Sequence, residues 1–464
     1  MKNASFKIAA AALAVASAFV SQANAAGFML TEQSAGALGR AYAGVGVDGN
    51  DIAGTYYNPA TMSLHDGTKI QAGVVQVGMN LDYAGNSGAT ENGRLKSQTL
   101  PHGYITHKIN DSMWAGLAMS VPFGMGTEFG ENWEGSERGI SAEMYTFDFN
   151  PNLAWKVTDK FTVGAGVSIQ YANAKLKTKM KLKNTELGKQ LTPALTGIAG
   201  TYLQNGDYAS AQTVAATGEQ TITSEIKVDS IAWGFNLGLM WAPVENFRVG
   251  LSYRSKVSHD ADGDLTISGN NNLYAHIASL TALNNQTINA ILPGMANVLG
   301  THNGEASLST PAWAMVNAVW DVNDLLSLYA TFRWSDWSSF KQLKITSNGV
   351  PQATIDNYWK DTYLGSLGAD LRLTDWWTLR GGVAYESSPI SNPQNRLGII
   401  PDADRWWFAV GSTFKLMDNL QTDVSFAHLH GVHERSIYKD NGEEWGKFRK
   451  LDAYLFGVQL VYAF

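Results

Sequence analysis

The sequence predicts an all-β membrane protein, an antiparallel transmembrane β-barrel of about 14 strands with an N-terminal hatch plugging its lumen. Three observations lead there. An export leader opens the chain, apolar and small or polar residues alternate at period two up to the last residue, and short Asp/Asn-rich breaks alternate with long loops.

The leader comes first. Lys2 and Lys7 form a positive start, residues 8–20 form an Ala-rich apolar run, and Ala23-Asn24-Ala25 reads as a small-x-small cleavage box. Residues 1–25 are therefore expected to be a signal peptide, with the mature chain starting at Ala26. The apolar run is too short for a membrane anchor, and no later stretch supplies the roughly 18 apolar residues of a spanning helix. The 46 glycines, 11% aromatic and 16% charged residues are unusual for a soluble enzyme, and with no cysteine the fold has no covalent staples. A net charge of −7 offers no basic footprint for nucleic acid. A mean hydropathy of −0.15 suits a wall whose lipid-facing and lumen-facing residues average out.

The wall occupies residues 68–464. In the last strand Tyr454, Phe456, Val458, Leu460, Tyr462 and Phe464 share one face, with Ala453, Gly457 and Gln459 on the other. Aromatics at both ends of an apolar face suit a lipid-facing strand. The same pattern recurs in Leu326, Leu328, Ala330, Phe332 and Trp334, and in Trp406, Phe408, Val410 and Phe414. Adjacent Val74 and Val75 interrupt the apolar phase of the first strand and read as a β-bulge. Short breaks at Asn110-Asp111, Thr158-Asp159, 244–246, 321–324, Thr374-Asp375 and Asp418-Asn419 alternate with longer connections at 84–94, 123–141, 184–224, 268–305, 346–355, 389–403 and 431–449. That alternation gives about 14 strands and places both ends on the periplasmic side.

Residues 26–67 hold no convincing strand but many glycines, with turn chemistry at Asn58-Pro59-Ala60, and suit a compact plug. The third strand, from about Ser112, runs into Pro122-Phe123-Gly124. Proline removes a ladder donor and glycine weakens packing, so pairing is expected to fail there, unless the stretch simply starts a loop. Two long loops, near 184–224 and 268–305, carry helical spacing: Leu187, Leu191, Leu195, Ile198 and Tyr202 in one, and Leu273, Ile277, Leu280, Ile288, Ile291 and Met295 in the other. Such stripes form a binding surface or pack on each other. Arg333, Arg372, Arg405, Asp370 and Asp423 fall in lumen-facing phase and are expected to bind the hatch and one another. His428 and His430 share a strand face and His433 follows, but polar rings near a rim are ordinary, and neither metal nor cofactor is expected. No Gly-x-Ser-x-Gly elbow or other catalytic constellation appears, so the chain is not expected to be an enzyme.

Ala26-Gly27-Phe28, Gly39-Arg40-Ala41-Tyr42 and Asn58-Pro59-Ala60, followed in order by Tyr253-Arg254-Ser255, Trp337-Ser338-Ser339-Phe340, Gln342-Leu343-Lys344, Gln394-Asn395-Arg396, Ile400-Pro401-Asp402 and the closing Tyr462-Ala463-Phe464, resemble the FadL family of outer-membrane long-chain fatty acid transporters across the whole mature chain. The resemblance implies passive uptake of long-chain fatty acids or similar hydrophobic molecules, with lateral release into the outer membrane beside a kinked third strand. By resemblance, Phe28 at the hatch tip and the cations Lys344 and Lys177 (or Lys179) face the ligand. Leu195, Ile198, Tyr202, Ile277 and Leu280 belong to an outer groove. Arg40, Asn58, Pro59 and Ala60 belong to the hatch, and Pro122, Phe123 and Gly124 to the lateral opening. Expected partners are the ligand, outer-membrane lipid and lipopolysaccharide, and the assembly machinery that reads a C-terminal aromatic strand. The alternatives are aromatic or alkane hydrocarbons as ligand, a general porin, or a surface receptor or adhesin.

Overall fold

Antiparallel strands run side by side around the molecule until the last pairs with the first, Ile70 opposite Tyr462 and Val74 opposite Val458. This computed structural model describes residues 27–464, apart from 87–89, 92–96, 131–132, 134–135, 137–138, 348–349, 357, 397, 434 and 439–441. The wall is a closed 14-strand barrel. Its strands are β1 (Thr68–Gly85), β2 (Gln98–Asn110), β3 (Met113–Ser120, with a displaced upper piece Gly124–Glu128), β4 (Ser141–Thr158), β5 (Phe161–Lys181) and β6 (Thr221–Val244). There follow β7 (Phe247–Arg254, then Val257–Gly269), β8 (Gly300–Thr310, then Trp313–Asp321), β9 (Leu326–Ser335, then Gln342–Ser347) and β10 (Val350–Asp356, then Thr362–Arg372). The circuit ends with β11 (Trp377–Glu386), β12 (Arg405–Met417), β13 (Leu420–Gly431) and β14 (Glu444–Ala463). Short turns close one rim and long connections the other, the periplasmic and extracellular edges of such a barrel.

Alternation on these strands follows from two solvents, lipid outside and protein inside. Along β14, Tyr454, Phe456, Val458 and Leu460 are exposed on the outer face while Leu455, Gly457 and Gln459 are buried. Trp155, Trp241, Trp320 and Trp376 ring the periplasmic edge, and Trp233, Tyr363, Trp406 and Tyr454 stand higher on the outer wall, as aromatic girdles do. The bulge expected at Val74 and Val75 is absent. The β1–β14 register runs unbroken from Lys69 to Asp82, and Gln71, Val75 and Val77 all point inward. The apolar phase flips because the lumen itself is apolar at the height of Val75 and Val77, where they join the main hydrophobic cluster.

Residues 27–65 lie within the barrel, nearly all of them buried. Ser34 caps the short helix α1 (Ala35–Leu38), Ala53 precedes α2 (Gly54–Tyr57), and Asn58 caps a 3-10 turn over Pro59–Leu64. Asn58 also donates from Nδ2 to the carbonyls of Gly46 and Leu239, 2.9 Å each, tying this segment to β6. Wall and segment touch because the wall carries glycine where they meet: a Cβ on Gly238 would overlap Asn58, and one on Gly382 would overlap the Arg40 backbone.

Buried charge holds the rest. Arg40 pairs with Asp48 and, at 2.6 Å, with Asp370, its guanidinium 4.0 Å above the Tyr329 ring. Arg254 binds Asp148 at 2.6 Å and the Tyr56 carbonyl at 3.0 Å. Arg333 bridges Glu386 at 2.7 Å and Thr31 at 2.9 Å, while Arg380 spans Asp423 at 3.1 Å and the Gly36 carbonyl at 3.1 Å. Arg405 pairs with Asp402. Arg372 departs from the expectation: it lies below the N-terminal segment, exposed, donating to the Asp324 carbonyl of a periplasmic turn.

Four helices build the extracellular cap, α3 (Glu186–Gln204), α4 (Tyr208–Ala215), α5 (Asn271–Ala282) and α6 (Gln286–Val298). Capping side chains start all four: Thr185, Asp207, Asn270 and Asn285 each accept from a first-turn amide.

Candidate functional site

The tip of the N-terminal segment is a short extended run, Phe28 to Leu30, and it does two things. It pairs with the broken strand β3. The Leu30 amide donates to the Pro122 carbonyl at 2.8 Å, the Gly124 amide to the Phe28 carbonyl at 2.9 Å, and Met29 bridges to Phe123. Gln33 completes the seam, with Nε2 donating to the Val121 carbonyl at 2.7 Å and Oε1 accepting from the Val121 amide at 3.0 Å. Proline at 122 has no N–H to offer a neighbouring strand, so the backbone satisfies itself against the lumen instead. Pairing of β3 with β2 stops at Gly103 and Met119, and among the described residues the upper piece of β3 pairs in the wall with β4 alone. Among the described residues, a slit in the hydrogen-bonded ladder therefore separates β2 from the upper β3.

The tip also floors a cavity. Phe28 is 1% exposed, and its ring meets Trp337 at 4.6 Å, Phe340 at 5.5 Å, Trp359 at 5.9 Å and Phe123 at 6.1 Å between centroids. Above it a cavity is bounded by Phe28, Met144, Val228, Phe340, Leu343 and Ile399, among other mostly apolar groups. Mostly apolar, with few polar groups, its lining has the character of a site for a hydrophobic small molecule.

Gly27 fixes the approach to Phe28. It sits at φ +66, and any Cβ there would lie 2.7 Å from Trp359 and 2.8 Å from Trp337. Its amide donates to Asp402 Oδ2 at 3.1 Å. Burial pushes the Asp402 carboxyl up to about 6, against the opposing pull of the Arg405 guanidinium.

Few polar groups reach the cavity. Lys175 and Glu143 border it, but alternation sends both side chains to the face opposite Ala174, Leu176, Ala142 and Met144, where Lys175 lies 3.6 Å from Glu225. His259 lines it too, but both ring nitrogens are engaged, Nδ1 with Ser230 Oγ at 2.8 Å and Nε2 with Gln170 Oε1 at 2.9 Å. The remaining wall can offer a ligand surface but no chemistry.

Of the residues expected from sequence, Phe28 lines the cavity. Strand alternation turns Lys344 to the opposite, exposed face from Leu343 and Ile345, which do line it. Lys177 lies opposite Ser141 and Glu225, outside the lining that includes Lys175 and Leu176. Leu195, Ile198, Tyr202 and Leu280 pack with Val214 and Ile288 into a core between the loop helices, and Ile277 packs beneath them with Ile222 and Leu265. They roof the cavity without lining it. The side chains of Leu187, Ile291 and Met295 lie outside the described residues. Asn58, Pro59, Ala60 and Arg40 occupy the periplasmic half of the N-terminal segment, and Pro122, Phe123 and Gly124 the seam. Sequence reasoning missed Lys175, His259 and Ile399. For Lys175 a signal existed, since it belongs to the same basic run as Lys177 on β5.

Comparison with known proteins covers the same span. The family model described as outer membrane protein transport protein (OMPP1/FadL/TodX) matches residues 16–464. The long-chain fatty acid transport protein of Escherichia coli (strain K12) is 30% identical over 472 residues, covering 98% of each chain. Outer membrane protein P1 of Haemophilus influenzae is 26% identical, covering 95% of this chain and 96% of its own. Among solved structures, a Pseudomonas aeruginosa FadL homologue superposes with a TM-score of 0.77 at 25% identity, over 95% of this chain and all 100% of that one. The P. putida toluene transporter TodX superposes with a TM-score of 0.67 at 17% identity, over 93% of this chain and 98% of that one.

Proposed function

Since the chain belongs to the outer membrane protein transport family (OMPP1/FadL/TodX), and is an outer-membrane barrel, we propose that it takes up long-chain fatty acids or similar hydrophobic molecules passively and releases them sideways into the outer membrane. One observation carries the reading. The run from Phe28 to Leu30 floors the apolar cavity and also fills the slit beside β3. Displacing that single segment joins the cavity to the lipid. An acyl chain partitions by about 0.8 kcal/mol per CH₂, so a route that never hydrates the tail avoids a large barrier.

The ligand would enter beneath the loop helices, where Leu195, Ile198, Tyr202, Ile277 and Leu280 support the roof. Its carboxylate would stay on the cationic side of the cavity, beside the strands that carry Lys175, Lys177 and Lys344 at the rim. Residues 26–67 would act as the hatch, with Arg40 and Asn58-Pro59-Ala60 anchoring its lower half and the tip moving. Removal of residues 1–25 would precede assembly. Lipopolysaccharide around the upper wall and the machinery reading the strand that ends at Phe464 would be its further partners. No covalent step and no cofactor enter this route.

Mass spectrometry of lipid co-purified with the protein tests it: fatty acids bound in stoichiometric amounts are expected, and their absence, with no exchange of added oleate, would overturn it. The alternative ligand class, aromatic or alkane hydrocarbon, draws on the scarcity of polar groups in the cavity and on the fold shared with a toluene transporter. Toluene displacing oleate from the cavity at comparable concentration would favour it. Fast flux of small sugars in liposome swelling would instead indicate a porin.

A further inference from the structure

On the outer face of the wall, β13 and β14 hold a second cluster that the transport route does not use. His428 and His430 point outward one pleat apart, and the strand register sets His430 directly against Asp452 and His428 against Tyr454. His430 Nδ1 lies 2.9 Å from Asp452 Oδ1. The His428 ring is stacked flat on Tyr454, centroids 4.8 Å apart and planes 8° from parallel, and its Nε2 is buried without a hydrogen-bond partner. One ligand atom from each of His428, His430 and Asp452 falls within 4.8 Å of the others.

We propose that His428, His430 and Asp452 bind one divalent transition-metal ion of the zinc class. Two imidazole nitrogens and one carboxylate oxygen are the donor set that zinc, copper and nickel prefer, while magnesium and calcium call for oxygen alone. The donors are preorganised: the Tyr454 ring holds one imidazole in place, and two adjacent paired strands hold the backbone under all three. An ion also supplies the partner that His428 Nε2 lacks. Three protein ligands leave the fourth position open on the outward side. Trp406 registers against His430, so the site stands at the level of the upper aromatic girdle, in the head-group layer and within reach of external ions. His433 takes no part, because its Nδ1 engages Asp404 Oδ2 at 2.8 Å. The sequence offered only the two histidines of one strand face; the third ligand comes from the neighbouring strand.

The mature protein, purified without a histidine tag, stripped with chelator and held in detergent micelles, should take up one Zn²⁺ per chain by calorimetry. His428→Gln, His430→Gln and Asp452→Asn should each weaken binding at least about tenfold, because neutral nitrogens and the carboxylate supply the affinity. His433→Gln should leave it unchanged. With Cu²⁺ as probe, electron paramagnetic resonance should report two nitrogen ligands in the intact protein and one in His428→Gln. All these positions face outward, so circular dichroism should show an intact barrel in every variant. If Asp452→Asn does not fold, the histidine variants and the copper spectrum still decide. No zinc uptake by the intact protein, or equal uptake by the His428→Gln/His430→Gln double variant, would overturn the assignment.

Discussion

Arg40 has no contact with solvent, and its charge is matched by Asp48 and Asp370 while its face lies on Tyr329. Removing one partner from a buried pair leaves the others uncompensated, at a cost of about 3–5 kcal/mol. Arg40→Met should therefore loosen the N-terminal segment, read as a lower urea midpoint for its release and noisier single-channel traces. At the cavity, Lys175→Met should weaken oleate binding about tenfold, near 1.4 kcal/mol, and leave methyl oleate unaffected. Equal losses for acid and ester would remove the head-group role of Lys175. Lys344→Met in the same assay measures the rim position that family resemblance favours. Among single residues, Phe28 was legible because an ordered set of short blocks marks the N-terminus. The cation nearest the cavity was not, because Lys175, Lys177 and Lys179 share one strand face at period two, and alternation alone cannot choose among them.

The strands show the same split between what alternation reveals and what it hides. Lipid demands an apolar outer face, so the outward residues of β9, β12 and β14 could be read directly. The inner face answers to the segment it packs against, and Val75 and Val77 of β1 are apolar for that reason, which imitates a bulge. Neighbouring glycines in β11 make the inner demand testable. A Cβ on Gly381 meets nothing within 4 Å, while one on Gly382 would overlap the Arg40 backbone. Gly381→Ala should be silent, and Gly382→Ala should displace the N-terminal segment around Arg40 and raise ion conductance in planar bilayers. The break in β3 was legible from Pro122 and Gly124, but its new partner, residues far earlier in the chain, was not.

For the molecule as a whole, the alternation of short and long connections was enough to count strands, orient the barrel and size its lumen. Deleting residues 28–49 should raise conductance severalfold in planar bilayers, since a barrel of this width is open unless filled. An unchanged trace would dismiss the plug. The seam between Leu30 and Pro122 has a consequence for the cell. The barrel is closed toward the periplasm by one set of contacts, around Arg40 and Asn58, and toward the lipid by another, at the tip. Because the two sets of contacts are held separately, on the proposed route a passenger that dislodges the tip would not unlatch the lower half. By that route a bacterium would admit grease through its outer defence without becoming leaky to the water-soluble antibiotics that defence excludes.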